Sequence, residues 1–107
     1  MSPSTEAQLR SEATRGLRAN ELMADDLIVE AFSLLNERLT KEWADSPVRD
    51  CEGRERIWLM QKLLKNVGDH LSEIAQTGKL ANLQLEQERT LAQKAKDLAR
   101  DLARGVY

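Results

Sequence analysis

A chain of 107 residues with 16 basic and 18 acidic side chains carries a formal net charge of -2, which excludes a polycation that coats nucleic acid over its whole surface. Aromatic residues make up only 4% against 32% charged, a mixture rich in Ala, Leu, Glu, Lys, Arg and Gln that favours long helices. A chain of this length buries only a thin core unless its helices pack lengthwise or meet a partner, so what it binds matters for how it folds.

The first element in the chain is weak. Ser2-Pro3-Ser4-Thr5 reads as a frayed start, with Ser4 or Thr5 able to cap a helix carrying Leu9, Ala13 and Leu17 at fourfold spacing. Gly16 and the flanking Arg10, Arg15 and Arg18 predict a marginal helix within an N-terminal arm, residues 1–24, that needs packing to be ordered.

Asp25 and Asp26 suit the N-terminal cap of a second helix, about 26–44, on which Ile28, Phe32, Leu35, Leu39 and Trp43 form one stripe. Asp45-Ser46-Pro47 ends it, because proline restricts the residue before it and cannot donate the next hydrogen bond. After a loop to about Asp50, a third helix over 52–77 places Ile57, Met60, Leu64, Val67, Leu71 and Ile74 at alternating spacings of three and four, the seam of a heptad repeat. Gly78, followed by Lys79, predicts a stop or bend there.

A fourth, C-terminal helix is expected within 79–107, with Leu80, Leu83, Gln87, Leu91, Ala95, Leu98 and Leu102 as its inner face and Gly105 ending the pattern. The predicted fold is thus a single all-α domain: an antiparallel hairpin within 25–78, with a short N-terminal helix and a separate C-terminal one.

Few residues can carry catalysis. His70 lies beside Asp69 and one helical step from Glu73, but it flanks the predicted seam rather than a pocket, and Cys51 sits near Arg49 and Arg54 with no second thiol. No glycine-rich phosphate loop or metal-ligand spacing accompanies them, so the sequence predicts a non-enzyme with no catalytic, cofactor or metal residues.

Interaction chemistry is better represented. Trp43 and Trp58 would meet at the base of the hairpin, either closing it or anchoring another protein. From Arg89 to Arg104 there are five positive and two negative side chains, with Lys96, Arg100 and Arg104 four apart, whereas Glu21 to Glu42 holds six negative and two positive. That polarity suits contact with an acidic protein surface or head-to-tail association, with Leu98, Leu102, Val106 and Tyr107 adding apolar contact; phosphate is the less favoured partner, because no aromatic interleaves the stripe.

The runs LIVEAFSLLNERLTKEWADSP, Leu27 to Pro47, and RERIWLMQKLLKNVGDHLSEIAQTGKLA, Arg54 to Ala81, resemble small proteins encoded among the structural and packaging genes of tailed bacteriophages. In those proteins a helix ending in tryptophan is joined by a short loop to a helix opening Arg-Glu-Arg-φ-Trp-Leu, and a Thr-Gly-Lys-Leu-like step follows. Here the matching positions are Trp43, Pro47, Arg54, Glu55, Arg56, Trp58, Leu59 and Thr77 to Leu80, about half of the chain. The resemblance implies a virion structural or assembly protein, found in the virion and in the host cytoplasm during assembly. Its partners would be phage structural proteins or further copies of itself. A DNA-packaging accessory similar to small terminase subunits and an inhibitor of a host protein are the alternatives.

No run of apolar residues reaches the roughly 20 needed to span a bilayer, the opening residues carry no secretory apolar stretch, and Cys51 has no internal disulfide partner. No membrane association, no small-molecule substrate and a reducing compartment are therefore expected.

Overall fold

The structure, a computed structural model, describes residues 5–105, which form three α-helices and no strand. α1 spans Glu6–Ala24, α2 Asp26–Asp45 and α3 Cys51–Ala103. Local side-chain chemistry sets each start. Thr5 and Gln8 form a reciprocal capping box, with the Gln8 N–H donating to Thr5 Oγ1 at 3.1 Å and the Thr5 N–H to Gln8 Oε1 at 2.9 Å. The Asp25 carboxylate accepts from the N–H groups of Leu27 and Ile28, while its own N–H donates to the Leu22 carbonyl. One aspartate therefore ends α1 and begins α2. Asp50 caps α3 by accepting from the Gly53 N–H at 3.0 Å.

Both shorter helices run antiparallel to α3 along successive lengths of it. Glu6 and Arg10 of α1 lie beside Leu85 and Arg89, and Glu12 and Arg15 beside His70 and Ile74. Along α2 the chain passes from Phe32, near Leu64 and Gly68, to Thr40, whose hydroxyl accepts from Gln61 Nε2 at 2.8 Å. At the turn between α2 and α3 the Arg54 guanidinium donates to the carbonyls of Trp43 and Ser46, at 3.1 and 3.2 Å, and to Ser46 Oγ at 2.9 Å. A cation thus reinforces the end of α2, where the Trp43 carbonyl also accepts from the Ser46 N–H and hydroxyl.

Two sequence expectations are corrected here. Gly78 neither stops nor bends the helix: α3 passes through it, and no separate C-terminal helix begins at 79. The position is buried against Gly16 of α1, where a Cβ on Gly78 would lie 2.6 Å from the Gly16 Cα and 2.9 Å from the Glu12 carbonyl oxygen. Close backbone approach by α1 is gained where the glycine costs intrinsic helix propensity, and the helix formers Lys79, Leu80 and Ala81 carry the turn onward. The N-terminal helix, expected to be marginal, makes the tightest packing in the chain: Leu9, Gly16 and Ala19 are buried against the α3 stretch that holds Ala75, Gly78 and Ala81. Small residues make this contact, and small residues make a weak apolar pattern.

The α3 seam is also displaced from the expected register. Ile57, Leu64, Leu71 and Ile74 are half-buried as expected, but Met60 and Val67 stand exposed, and the packed positions between the larger residues are Gln61, Gly68, Ala75 and Gly78. The packed stripe keeps the alternating three-and-four spacing of a heptad while using side chains that a search for large apolar residues passes over.

The molecule is elongated, with extents of 85 × 33 × 20 Å and a radius of gyration of 23.8 Å, against about 13 Å for a compact chain of this length. The end of α3 accounts for much of this: residues 86 to 100 are exposed on every side. Ser2, Pro3 and Ser4 at one end and Val106 and Tyr107 at the other lie outside the described residues.

Candidate interaction surface

The residues singled out from the sequence fall into three places. Trp43 is at the end of α2 and lies under the Arg54 guanidinium, 3.9 Å from ring centroid to Cζ. Trp58, about two turns into α3, stacks with Lys62 at 5.2 Å. The indoles therefore face different cations, and both remain substantially exposed. Trp43 belongs to the Arg54 clip that holds the turn. Trp58 instead lines an open groove of about 610 Å³ between α2 and α3, with Phe32, Asn36, Gln61 and Leu64. Gly68 borders this groove, and a Cβ there would meet nothing within 4 Å.

Lys96, Arg100 and Arg104 lie on the part of α3 that extends past α1. Arg100 is 3.5 Å from Asp97, which also accepts from Gln93 Nε2 at 3.1 Å. These are exposed pairs on one helix and contribute only a few tenths of a kcal/mol each. Leu91, Leu98 and Leu102, expected on an inner face, are 66%, 52% and 59% exposed, and Leu80 and Leu83 point outward as well. The expectation fails because α1 stops short: its first turn sits at Leu85 to Arg89, and among the described residues no helix reaches the α3 turns beyond.

Sequence reasoning missed a second set. Met60, Leu63 and Val67 form an exposed apolar stripe on α3, and Ala31, Leu34 and Leu35 form another on α2. The groove with Trp58 takes Ser33 and Asn36 from one side of α2 and Lys62 and Lys65 from one side of α3. Helical periodicity places Ala31 and Leu35, and likewise Met60 and Val67, on the other side of the same helix pair. The signal is present in the sequence, since Met60 and Val67 share the spacing of the predicted seam, but spacing alone assigns them to the intramolecular contact.

His70 lies exposed on α3 with Nδ1 3.8 Å from Glu73 Oε2, and Cys51 is exposed at the first position of the same helix. Nineteen residues of continuous helix hold them about 28 Å apart. Among the described residues no three His, Cys, Asp or Glu side chains converge as metal ligands, and no helix is long and apolar enough to cross a membrane. The prominent surface is thus apolar and charged helix face.

No family model, curated protein or solved structure matches the chain. The geometry of its own surface is what the functional reading rests on.

Proposed function

We propose that this chain is a non-enzymatic assembly protein that works through helix-mediated contacts with other protein surfaces, its own copies included. One observation carries the reading. The chain exposes 8968 Å², whereas a compact monomer of 12.1 kDa exposes about 6000 Å². The excess of roughly 3000 Å² far exceeds the roughly 800 Å² that each partner contributes to an ordinary interface, and it includes contiguous leucine stripes of the kind that mark association surfaces. In this reading α2 and the first half of α3 act as an antiparallel hairpin that presents Trp58 and the outer stripes, and the α3 extension supplies a separate basic arm.

The setting proposed, a tailed-phage virion or its assembly in the host cytoplasm, is supported by the resemblance of Leu27 to Pro47 and Arg54 to Ala81. Mass spectrometry of purified particles tests it: the chain is expected among the particle proteins or on assembly intermediates, and its absence from both would remove the proposal. A DNA-packaging accessory is the second reading, favoured by the five basic side chains between Arg89 and Arg104 on a fully accessible helix.

The double reversal Arg100→Glu/Arg104→Glu separates the two. Three aligned bases neutralise about three phosphates, which gives weak, salt-sensitive duplex binding. Both arginines are exposed, so the reversal should leave the helices of each chain formed, while assembly fails and with it the stability that association adds. Sub-micromolar duplex binding at physiological salt that the reversal abolishes would favour packaging instead.

A further inference from the structure

The α3 turns past α1 carry a pattern of their own. Leu91, Ala95, Leu98 and Leu102 recur at spacings of four, three and four, the two apolar positions of a heptad. Where α1 begins, it lies against another side of the helix, at Asn82, Leu85 and Arg89, about a third of a turn around the axis from this stripe. Among the described residues nothing in the same chain covers the stripe, and its three leucines are more than half exposed. We propose that the same stripe of a second copy covers it, the two α3 extensions pairing antiparallel about a twofold axis between Lys96 and Asp97. Leu91 then lies opposite the partner's Leu102 and Ala95 opposite the partner's Leu98. The twofold repeats both contacts, as a closed dimer requires. This names one partner for the assembly reading and rests on it.

Charge and size decide the orientation. Lys94 and Asp101 flank the stripe on one side, Ala92 and Ala99 on the other. Antiparallel helices set like flank against like flank, so Lys94 faces the partner's Asp101, and the twofold repeats the pair. A parallel pair would set each of these charges against the partner's other flank, where Lys94 meets only alanine, and would leave Ala95 facing its own copy with no larger side chain to fill the layer. Ala92 and Ala99 meet across the second flank, where small side chains let the axes approach. The remaining bases stay off the seam: Arg89, Lys96, Arg100 and Arg104 occupy outer positions of the heptad, and Arg100 is 3.5 Å from Asp97 on its own helix. Register is fixed as well. Sliding one heptad either way sets Glu88 opposite the partner's Leu98, or Ala95 opposite the partner's Gly105, and loses two apolar layers. The arrangement also gives the length of α3 a purpose, since pairing over 88–105 holds the three-helix bodies at opposite ends of the dimer, where they do not collide. Four layers over about 25 Å of helix make a small interface, so a reversible dimer of micromolar affinity is expected.

Cross-linking tests the orientation directly. In a Cys51→Ser background, the pair Leu91→Cys/Leu102→Cys cannot close within one chain, because continuous helix holds the two thiols about 16 Å apart. Under mild oxidation it should give a covalent dimer in high yield. Leu91→Cys alone, which a parallel pair would join to its own copy, should give little. Sedimentation equilibrium tests the charge pair: Lys94→Glu and Asp101→Lys should each raise the dissociation constant by about fivefold, while Lys94→Glu/Asp101→Lys, which exchanges the charges and keeps the net charge, should return it to within about twofold of the parent. Efficient cross-linking of Leu91→Cys alone, a charge exchange no tighter than the single changes, or a monomer up to millimolar concentration would overturn the antiparallel pairing. A monomer found in particles would do so while leaving the assembly reading on other surfaces; a dimer with no chain in particles or intermediates would remove the assembly reading and keep the pairing.

Discussion

Gly78→Ala should destabilise the chain by roughly 1–3 kcal/mol, although the same change at Gly68, ten residues earlier on the same helix, should stabilise it by about 0.5–1 kcal/mol. Intrinsic propensity favours alanine at both positions. At Gly68 a Cβ meets nothing within 4 Å, so only the propensity gain remains. At Gly78 it would lie 2.6 Å from the Gly16 Cα, which is backbone and cannot rotate away. α1 must then lift from α3, loosening the contacts of Leu9 and Ala19, which are 2% and 3% exposed. Gly78→Leu should detach α1 altogether. Urea unfolding followed by circular dichroism at fixed protein concentration measures all three variants, and equal stabilisation by the two alanines would mean that α1 does not cross α3 at this point.

The largest effect on the other shorter helix should come from Leu39→Asp. Leu39 is 6% exposed and is the one buried residue of α2. The substitution removes an apolar side chain worth about 1.5–3 kcal/mol of burial and forces a carboxylate out of the α2–α3 seam, so a loss of about 3 kcal/mol is expected. Leu39→Met, which keeps volume and apolarity, should lose less than about 1.5 kcal/mol. Hydrogen exchange locates the damage: amides of α2 should lose protection in Leu39→Asp while those around Gly16 and Gly78 keep theirs. Uniform loss across all three helices would show that α1 and α2 do not pack on α3 as separate units.

These two sites show how far the sequence could be read. Helix starts and stops were legible where one side chain decides them. Asp25 has the short carboxylate that caps a helix, Ser46-Pro47 forbids continuation, and Gly105 takes the left-handed conformation, with φ of 69°, that ends α3. Gly78 reads locally as a terminus, but its role is tertiary. Glycine after Gln76-Thr77 looks like a terminus until a second backbone is placed against it, and nothing local in the sequence announces Gly16 as that partner.

The α3 seam shows the same limit. Ile57, Leu64 and Leu71 identify a packed stripe, but Met60 and Val67 share its spacing and are larger than Gln61, Gly68 and Ala75, so size pointed to the wrong edge of the helix. Close helix packing selects small residues, and a helix with two neighbours carries two stripes that periodicity alone cannot assign. The tail residues Lys96, Arg100 and Arg104 were placed on one face by spacing. What spacing could not supply was that α1 ends before reaching them, which turns Leu91, Leu98 and Leu102 outward.

The central claim is that the apolar surface left open by the three helices is covered through association. Thermal unfolding of the isolated chain over a hundredfold range of concentration tests it most directly. Coupling of folding to self-association predicts a melting temperature that rises by roughly 5–10 °C across that range. A sharp, cooperative melt at high temperature that does not move with concentration would show that the helices are complete on their own, and would contradict the account.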